Sequence, residues 1–488
     1  MSSSNRVLAA LLAAAVLLPA AACGDAQSDS PSVTAAPSAS DGGAPAAEEE
    51  TTTVLMPDIP EGSNFGGYDF TFLNGNTAEW MTTYVVTAEE QNGEVVNDAI
   101  YDRNLAVAEK YGVTISEVST TSVASTAQKS VTAGDDEYDV VLLTMSDALA
   151  CTQKGIAVEY GQIPYIDIDK PWWVHGAMRD MSIGGRNYYG MSLFDTTHYD
   201  GVRAFYFNKT MRENYALDDP SQLIKDMKWT IDVFKTMGTS VYSDLDGDGS
   251  FSADDQYGYT SWSDVGVQAL IYGVGALASV SKDENDMPVF TLNNPDEIER
   301  LTALASLLAE PGFKHPKGES ANNGGVEFFK AGKTLFYSET MGNAQKLRTM
   351  DIDFGIVPGP MYNEQQGEYH NLGGNPYFML IPLTAGDLSR TGIILEALAW
   401  ESQDTIVPAF YDKMLNGKVA RDEESGASLD IVFSTLSYYI PIAVSVTAVN
   451  LCTDVWKNKT DFASFFAKNE AKIQKEIDKA VAAFEAGT

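Results

Sequence analysis

The sequence predicts an α/β fold, and three observations in its first third carry that prediction. Strand-like apolar runs occur at "YDFTFLN" (68–74), "VTISEV" (113–118) and "YDVVLLT" (138–144). The amphipathic stretch "VNDAIYDRNLAVAEKYG", which ends at Gly112, and a polar helical stretch separate these runs. The third run is apolar almost throughout, as strands buried on both faces are. This alternation of strands and helices indicates a parallel, doubly wound sheet.

The runs "GGRNYYGMSLFDTT" and "RAFYFNK" (184–209) are predicted strands that leave this first region. A second α/β region follows, and its predicted strands are "YGYTSW" (257–262), "AGKTLFYSE" (331–339), "IDFGIVPGP" (352–360) and "GNPYFMLIPL" (374–383). Its predicted helices are "KWTIDVFKTM" opened by Thr230, "PDEIERLTALASLLAE", "DLSRTGIILEALAWES" capped by Asp387, and a helical C-terminal region. The sequence therefore predicts more than one domain-sized α/β unit.

The N-terminus predicts export and attachment to a membrane. Residues 1–23 combine Arg6, a short apolar core and the small residues "AAAC", which resemble the signal and lipidation box of a bacterial lipoprotein with Cys23 as the lipidated residue. Ordinary secretory cleavage at the same alanines is the alternative. Residues 24–60 are predicted to be a disordered tether, because they contain few large apolar side chains.

Charge and cysteine content narrow the class of protein further. The formal net charge of −36 argues against binding to nucleic acid or to anionic lipid, and suits a solvated extracellular protein. Beyond Cys23 the chain contains Cys151 and Cys452. The sequence leaves open whether these two form a disulfide or remain buried thiols, because it gives no distance between them.

One short segment, "DLDGDGSFSADD" (244–255), has the spacing of a calcium loop. A 12-residue calcium loop takes oxygen ligands from positions 1, 3, 5, 7, 9 and 12, with glycine at position 6. Those ligand positions hold Asp244, Asp246, Asp248, Ser250 through its carbonyl, Ser252 and Asp255. Gly249 occupies position 6. A solvated acidic turn is the alternative, since aspartate and glycine favour turns without a metal.

Catalytic motifs do not stand out in the sequence. None of the four histidines has metal-ligand spacing with another, and no nucleophile elbow, phosphate loop or dinucleotide fingerprint is present. The abundant carboxylates single out no catalytic pair. These observations favour a binding protein, without a catalytic residue, over an enzyme.

From residue 68 onward the chain resembles the extracellular solute-binding proteins of bacterial ABC importers, of the maltose-binding type. The pieces that carry the resemblance, in chain order, are "YDVVLLTMSDALACTQKG", "IGGRNYYGMSLFD", "FYFNKTM", "KWTIDVF", "FKAGKTLFYSE", "IDFGIVPGP" and "LEALAWES". Three further pieces, "PYIDIDKPWW", "DGDGSFSADDQYGY" and "RTGIILEALAWES", resemble a subgroup abundant in gut Firmicutes.

The resemblance implies a two-lobed periplasmic-binding-protein-like fold, each lobe a sheet flanked by helices, joined by a hinge and closing on a ligand in the cleft. It places 66–193 and 352–402 in lobe one, and 196–350 and 403–488 in lobe two. It also implies a monomer that works with permease and ATPase subunits. The calcium loop then lies in lobe two and has a structural role, distinct from the transported ligand.

Ligand contacts are expected where strands end, since the loops of both lobes converge there. The candidates are Asn76, Trp80, Thr144, Ser146, Asp195, Trp262 and Glu339. A carbohydrate or oligosaccharide is the expected ligand, because aromatic rings bind its C–H faces and polar groups bind its hydroxyls. Core packing is the alternative for each tryptophan, and capping or turn formation for each polar residue.

Two other functions compete with solute binding. One is a secreted carbohydrate-active enzyme such as a glycoside hydrolase, and the other is a structural or adhesive calcium-binding surface protein. Peptides or other polar solutes also remain open as ligands.

Overall fold

The computed structural model describes residues 55–75, 86–249, 252, 254–261, 263–276, 280–291, 294–313, 324–347, 352–374, 376–416, 423–438 and 444–486. The strands are β1 Tyr68–Asn74, β2 Val113–Ser119, β3 Val140–Thr144, β4 Arg203–Asn208, β5 Tyr257–Ser261, β6 Val280–Lys282, β7 Pro288–Phe290, β8 Thr334–Thr340, β9 Phe354–Val357, β10 Asn371–Leu372, β11 Tyr377–Leu380 and β12 Leu436–Ser437.

The helices of the same described residues cover most of the remaining chain. They are α1 Val95–Tyr111, α2 Val123–Ala133, α3 Met145–Thr152, α4 His175–Met181, α5 Thr196–Asp200, α6 Lys209–Asn214, α7 Pro220–Lys225, α8 Ile231–Val241, α9 Ser263–Gly273, α10 Pro295–Leu307, α11 Gly324–Lys330, α12 Leu388–Glu401, α13 Ile406–Asn416, α14 Glu423–Ser434, α15 Val446–Trp456 and α16 Phe462–Ala486.

The first sheet has the strand order β11-β3-β1-β2 in the described part of the chain. Strands β1, β2 and β3 are parallel, whereas β11 returns from later in the chain and pairs antiparallel with β3. Side chains on alternate positions fill separate cores on the two faces, for example Leu73 on one and Phe72 on the other. This confirms the predicted doubly wound sheet with a strand buried on both faces.

Local sequence signals explain why the helices of this sheet begin and end where they do. Helix α1 ends at Gly112, which adopts φ +62° and donates its N–H to the Ala108 carbonyl. A left-handed residue at a helix end favours glycine, so the predicted stop is confirmed. Helix α12 begins at the predicted cap Asp387, whose carboxylate accepts from the N–H groups of Ser389 and Arg390.

The second sheet has the order β5-β8-β4-β9 among the described residues. Strands β5 and β8 are parallel, and β4 lies antiparallel to both of its neighbours, β8 and β9. The two sheets, each flanked by helices, form the two-lobed architecture that was predicted. The chain crosses between the sheets before β4 and again before β11.

Strand β9 does not lie where the sequence prediction put it. Residues 352–402 were assigned to lobe one, but β9 pairs with β4 in the second sheet, with Tyr206 opposite Ile356. The return to the first sheet therefore occurs after β9 rather than at residue 352. A four-residue apolar run carries no local information about which sheet it joins, because strand pairing is decided by distant residues.

The C-terminal helix also departs from the predicted assignment to lobe two. Phe462, at the start of α16, lies in the core beside the second sheet, whereas Ile473, Ile477 and Phe484 lie in the core beside the first. The helix of 25 residues thus packs against both lobes. It is long enough to do so, since an α-helix rises about 1.5 Å per residue.

Two smaller predictions are decided by the structure. The predicted strand at 184–197 is irregular up to Asp195 apart from isolated bridges such as Gly190 to Met379, and its last two residues begin α5. Cys151 lies in the core beside the first sheet and Cys452 in the core beside the second, so the two thiols do not form a disulfide.

Within the described residues, the length and hydrophobicity that a membrane-spanning helix requires are not found together in any helix.

Candidate ligand-binding site

The carboxyl end of the first sheet presents Thr144 and Ser146, two of the predicted contacts. Thr144 ends β3 and caps α3, with its hydroxyl accepting from the Asp147 N–H at 3.3 Å. The hydroxyls of Thr144 and Ser146 lie 3.2 Å apart, and Ser146 is exposed. Because β11 is antiparallel to β3, its first residue, Tyr377, lies opposite Thr144 at this edge.

Asp195 lies where the chain crosses towards the second sheet, and it caps the one-turn helix α5. Its Oδ1 atom accepts from the Thr197 N–H at 2.8 Å and from the Thr197 hydroxyl at 2.7 Å. The same hydroxyl accepts from the Tyr377 N–H at 2.8 Å. The structure therefore brings Asp195 and Thr144, which are distant in sequence, to the same edge of the first sheet through Thr197 and Tyr377.

The second oxygen of Asp195 lacks a comparable partner. The residue is 3% exposed, and Oδ2 has no hydrogen-bond partner among the described residues. Burial raises the pKa of the Asp195 carboxyl to about 7, while the hydrogen bonds from Thr197 and the charge of Arg103 act in the opposite direction. The nearby Arg103 guanidinium donates instead to the carbonyls of Phe194 and Val86, at 3.1 and 3.0 Å.

At the edge of the second sheet, Arg203 lies beside the predicted contact Glu339. Strand β4 is antiparallel to β8, so its first residue, Arg203, lies opposite Thr340 at the carboxyl end of β8. Arg203 is 5% exposed, and its Nη1 atom is 3.6 Å from Glu339 Oε1. Neither Nε nor Nη1 of Arg203 has a hydrogen-bond partner among the described residues.

Glu339 itself is largely occupied by its own strand. Its Oε1 accepts from the Thr340 N–H at 2.7 Å, and its Oε2 accepts from the Tyr337 hydroxyl at 3.2 Å. The residue is 4% exposed. These contacts give Glu339 a role inside the second lobe as the counter-charge of Arg203, and they leave its predicted ligand contact without direct support.

Helix α5 connects the two edges. The Met341 N–H donates to the Val202 carbonyl at 2.8 Å, which fixes the end of β8 against the crossover. Gly342 approaches Asp200 so closely that a Cβ atom there would lie 3.1 Å from the Asp200 Cβ. Asn343 donates to the Thr340 hydroxyl at 3.2 Å, while its Oδ1 is buried without a partner in the described part of the chain.

We call Asp195, Thr197, Arg203, Glu339 and Asn343 the crossover cluster. The sequence singled out Asp195 at the crossover and Glu339 after "TLFYS", but the sequence analysis missed Arg203. The sequence does contain a feature that could have indicated Arg203, because this charged residue stands directly before the apolar run "AFYFN". Recognising it required the knowledge that β4 is antiparallel to β8, which puts the beginning of β4 at the carboxyl end of β8.

Several predicted residues lie outside the described part of the chain. They are Cys23, Asn76, Trp80, Ser250 and Trp262.

The acidic loop gathers carboxylates in the way a cation site requires. Oxygens of Asp244, Asp246 and Asp255 all lie within 4.8 Å of one another. Asp255 is fully buried, and it accepts from the N–H groups of Leu245 and Ser252 at 3.1 and 2.9 Å. Gly249 has φ +71°, the conformation expected of the glycine at position 6 of such a loop. The carboxylates of Asp244, Asp246 and Asp255 and the conformation of Gly249 therefore fit a hard divalent cation.

Comparison with known proteins identifies the fold. No family model and no curated protein sequence matches the chain. Solved structures do match. One is a family 1 extracellular solute-binding protein from Bifidobacterium longum subsp. infantis, with TM-score 0.52 and 16% identity, covering 84% of this chain and 100% of that one.

Two further matches are proteins whose structures include complexes with acarbose or with cycloalternan. The GacH receptor of Streptomyces glaucescens, studied unliganded and with acarbose, has TM-score 0.52 and 11% identity, covering 84% of this chain and 99% of its own. An ABC substrate-binding protein from Listeria monocytogenes, in complex with cycloalternan, has the same TM-score, identity and coverage. The chain thus has the two-lobed fold of extracellular solute-binding proteins.

Proposed function

We propose that this protein is the substrate-binding component of an ABC importer, and that it binds a carbohydrate or oligosaccharide between its lobes. The observation that supports the proposal is that helix α5 links one edge of the first sheet to one edge of the second, in a fold shared with proteins solved with acarbose and cycloalternan. Its partners in this role are a permease and an ATPase, and it acts as a monomer. The finer assignment to a subgroup abundant in gut Firmicutes is part of the same proposal.

The sugar is proposed to contact residues from both lobes. Asn76, Trp80, Thr144, Ser146 and Asp195 serve lobe one and the crossover, and Trp262 and Glu339 serve lobe two. The tryptophans provide flat apolar surfaces for the sugar rings, and the polar groups bind hydroxyls.

A thermal-shift screen with neutral oligosaccharides, followed by calorimetry, tests this function. We expect at least one oligosaccharide to raise the melting temperature, because a ligand that binds only the folded state stabilises it by mass action. Incubation of the protein with chromogenic glycosides and glycans tests the alternative of a glycoside hydrolase. Turnover that one carboxylate substitution abolishes is the result that contradicts a pure binding role.

We also propose a structural calcium ion at the acidic loop. The ligands are Asp244, Asp246, Asp248, the Ser250 carbonyl, Ser252 and Asp255, and the ion stabilises the lobe that contains the loop. A chelator is expected to lower the melting temperature of the wild-type protein, and Asp244→Ala to remove that response. Identical melting in chelator and in millimolar calcium is the result that makes the loop an acidic turn.

Attachment to the extracellular face of the membrane through Cys23 completes the proposal. The support is the small-residue box before Cys23 and the polar composition of 24–60. Cys23→Ala is expected to release the protein into the medium, and unchanged retention on the membrane is the contrary result.

A further inference from the structure

The hairpin β6–β7 belongs to the second lobe by its place in the chain but lies against the first. It follows α9 and precedes α10, and both of these helices pack in the core beside the second sheet. Val280, which begins the hairpin, is 1% exposed and lies in the core beside the first sheet. Phe290, which ends it, packs against both cores. The hairpin therefore joins the two lobes at a place separate in sequence from the crossover helix α5.

Lys282 attaches the turn end of this hairpin to the first lobe. Its ammonium donates to the Ser182 hydroxyl at 2.8 Å, to the Asp286 carboxylate at 2.7 Å and to the Arg179 carbonyl. An ammonium has three donor hydrogens, so these three acceptors use all of them. Arg179 belongs to α4 and Ser182 follows it directly, and α4 packs in the core beside the first sheet. A lysine from the second lobe is thus bonded to the first.

Asp286 makes a second attachment, to the tight turn at 183–186. Its Oδ2 atom accepts from the Gly185 N–H at 2.9 Å, and its carbonyl accepts from the Gly184 N–H at 3.1 Å. The two glycines have φ +59° and +74°, and backbone hydrogen bonds join the first and last residues of the turn. A two-residue turn of this kind requires positive φ at both central positions. The glycines therefore shape a turn whose two N–H groups meet Asp286.

The other end of the hairpin is held by the C-terminal helix. The ring of Phe290 stacks on that of Phe466 in α16, with ring centroids 5.1 Å apart and ring planes 5° from parallel. Phe466 packs against the core beside the second sheet. The hairpin is thus fixed by apolar contacts at its base and by polar contacts at its turn.

The polar contacts at the turn are of the kind found between domains that move. Interfaces between the domains of one chain resemble transient interfaces and are more polar than permanent ones. Water can replace the hydrogen bonds of Lys282 and Asp286 when the surfaces separate, whereas a partner lost inside the protein would leave a buried charge unpaired.

We propose that the hairpin β6–β7 is a strap that restricts rotation of the two lobes about the crossover, with Lys282 and Asp286 as its attachment to the first lobe. Few residues separate the hairpin from α9 and α10, so rotation of the second lobe displaces the hairpin relative to the turn at 183–186. Wide rotation therefore requires this attachment to break. The inference goes beyond the proposed function and holds whichever solute lies between the lobes.

Distances between spin labels on the two lobes test the strap without any ligand. Lys129→Cys on α2 and Thr239→Cys on α8 place one label on each lobe at exposed positions, in a Cys23→Ala background. Cys151 and Cys452 are buried, and protein without the two added cysteines serves as the labelling blank. Double electron–electron resonance then gives the distribution of distances between the lobes.

The first variant, Lys282→Met with Asp286→Asn, releases the attachment and leaves neither charge unpaired. Asparagine also tolerates the left-handed conformation of residue 286, which has φ +61°. We expect a distance distribution at least about twofold wider than that of the wild type. Lys459→Met with Asp454→Asn is the matched control, because this ion pair has the same 2.7 Å distance but is local to the end of α15. It should leave the distribution unchanged.

The second variant replaces residues 281–289 by a glycine–serine loop of equal length, which keeps the chain connection but offers no attachment. We expect its distribution to be at least as wide as that of the first variant. Circular dichroism and cooperative melting check that both variants fold, and the first variant decides alone if the second does not fold.

Wild-type widths in the folded variants would overturn the strap and leave α16 as the element that restrains the lobes. A wide distribution in the loop variant alone would overturn the roles of Lys282 and Asp286. The measurement contains no glycan, so neither result bears on the proposed function. Failure of every glycan to bind would likewise leave the expected widths unchanged.

Discussion

Glu396 and Asp195 are two buried carboxylates whose surroundings differ in one respect. Glu396 is 1% exposed and Asp195 is 3% exposed, and burial raises the pKa of each to about 7. Glu396 accepts from the indole of Trp172 at 2.7 Å and from that of Trp173 at 2.8 Å, one on each oxygen. Asp195 has both of its hydrogen bonds on one oxygen and none on the other.

This difference distinguishes a carboxylate with both oxygens used by the fold from one with an oxygen that has no hydrogen-bond partner among the described residues. The Glu396 contacts join α12 to the segment that carries Trp172 and Trp173, within the core of the first lobe. Both carboxylate oxygens of Glu396 accept a hydrogen bond, as expected of a buried network that has only a structural role. Asp195 lies at the edge of the sheet, where an unused acceptor costs stability but can be paired by a bound molecule.

The largest effect is expected from Glu396→Gln. The amide nitrogen must face one of the two indole N–H groups, so a charged hydrogen bond is lost and buried donors are left unpaired. We expect a loss of about 3 kcal/mol in the free energy of unfolding, measured by urea denaturation at pH 8. Glycan affinity should stay within about twofold of the wild-type value, because the hydrogen bonds of Glu396, Trp172 and Trp173 in the described part of the chain do not reach the crossover cluster.

Glu401→Gln is the matched control, since Glu401 is the last residue of the same helix and is only half-buried. We expect it to change stability by less than about 0.5 kcal/mol. Equal losses of stability in the two variants would mean that the indole hydrogen bonds of Glu396 stabilise the fold no more than a half-buried glutamate of the same helix does.

A smaller loss is expected from Thr197→Val, which removes a hydroxyl that is used within the crossover cluster. This hydroxyl donates to Asp195 and accepts from the Tyr377 N–H. Valine has nearly the same shape but leaves the Tyr377 N–H buried and unpaired, so we expect a loss of about 2 kcal/mol in the free energy of unfolding. Thr197→Ser keeps the hydroxyl and should recover most of that stability.

If Thr197→Val melts like the wild type, the link between α5 and β11 does not stabilise the protein. If Thr197→Ser is as unstable as Thr197→Val, the methyl group rather than the hydroxyl is responsible. Either result would contradict the view that the hydrogen bonds of the Thr197 hydroxyl stabilise the crossover cluster.

The sequence predicts much of the fold because local patterns determine its elements. Apolar periodicity located β1, β3 and β8, and Gly112 and Asp387 marked helix ends that the structure confirms. The assignment of β9 failed because the partner of a short strand is set by distant residues. Likewise, the residues that pair with Glu396 lie 224 and 223 positions away in sequence.

The candidate site was only partly accessible from sequence, for the same physical reason. Strand ends indicated Thr144 and Asp195, because the carboxyl edges of parallel strands collect ligand contacts. Arg203 required the direction of β4, and the unpaired atoms required the complete set of hydrogen bonds around α5. A sequence shows which polar side chains exist, but not which of their atoms remain unused after folding.

The smallest effect is expected from Asp195→Asn on stability, and its sign depends on pH. The folded pKa of about 7 lies above the usual aspartate value of about 3.9 in an unfolded chain. Folded protein therefore keeps this proton while unfolded protein loses it, so the Asp195 contribution to stability falls as pH rises from about 4 to about 7. The groups that act on Asp195 electrostatically are Arg103, Asp200, Tyr199, Tyr377 and Tyr438.

Asparagine has no proton to lose, so the variant lacks this part of the pH dependence. We expect ligand-free Asp195→Asn to be less stable than the wild type by about 1.5 kcal/mol at pH 5 and more stable by about 1 kcal/mol at pH 8, since two pH units below the folded pKa correspond to about 2.7 kcal/mol. The new amide nitrogen, which is also buried without a partner, lowers the stability of the variant by the same amount at both pH values. Glu396 and Glu297, whose pKa values burial also raises to about 7, are unchanged and cancel in the difference. Urea denaturation of both proteins at several pH values measures the difference between their free energies of unfolding. A stability difference that stays constant from pH 5 to pH 8 would mean that Asp195 is ionised in the folded protein throughout this range, and that Oδ2 is paired and unavailable to a ligand.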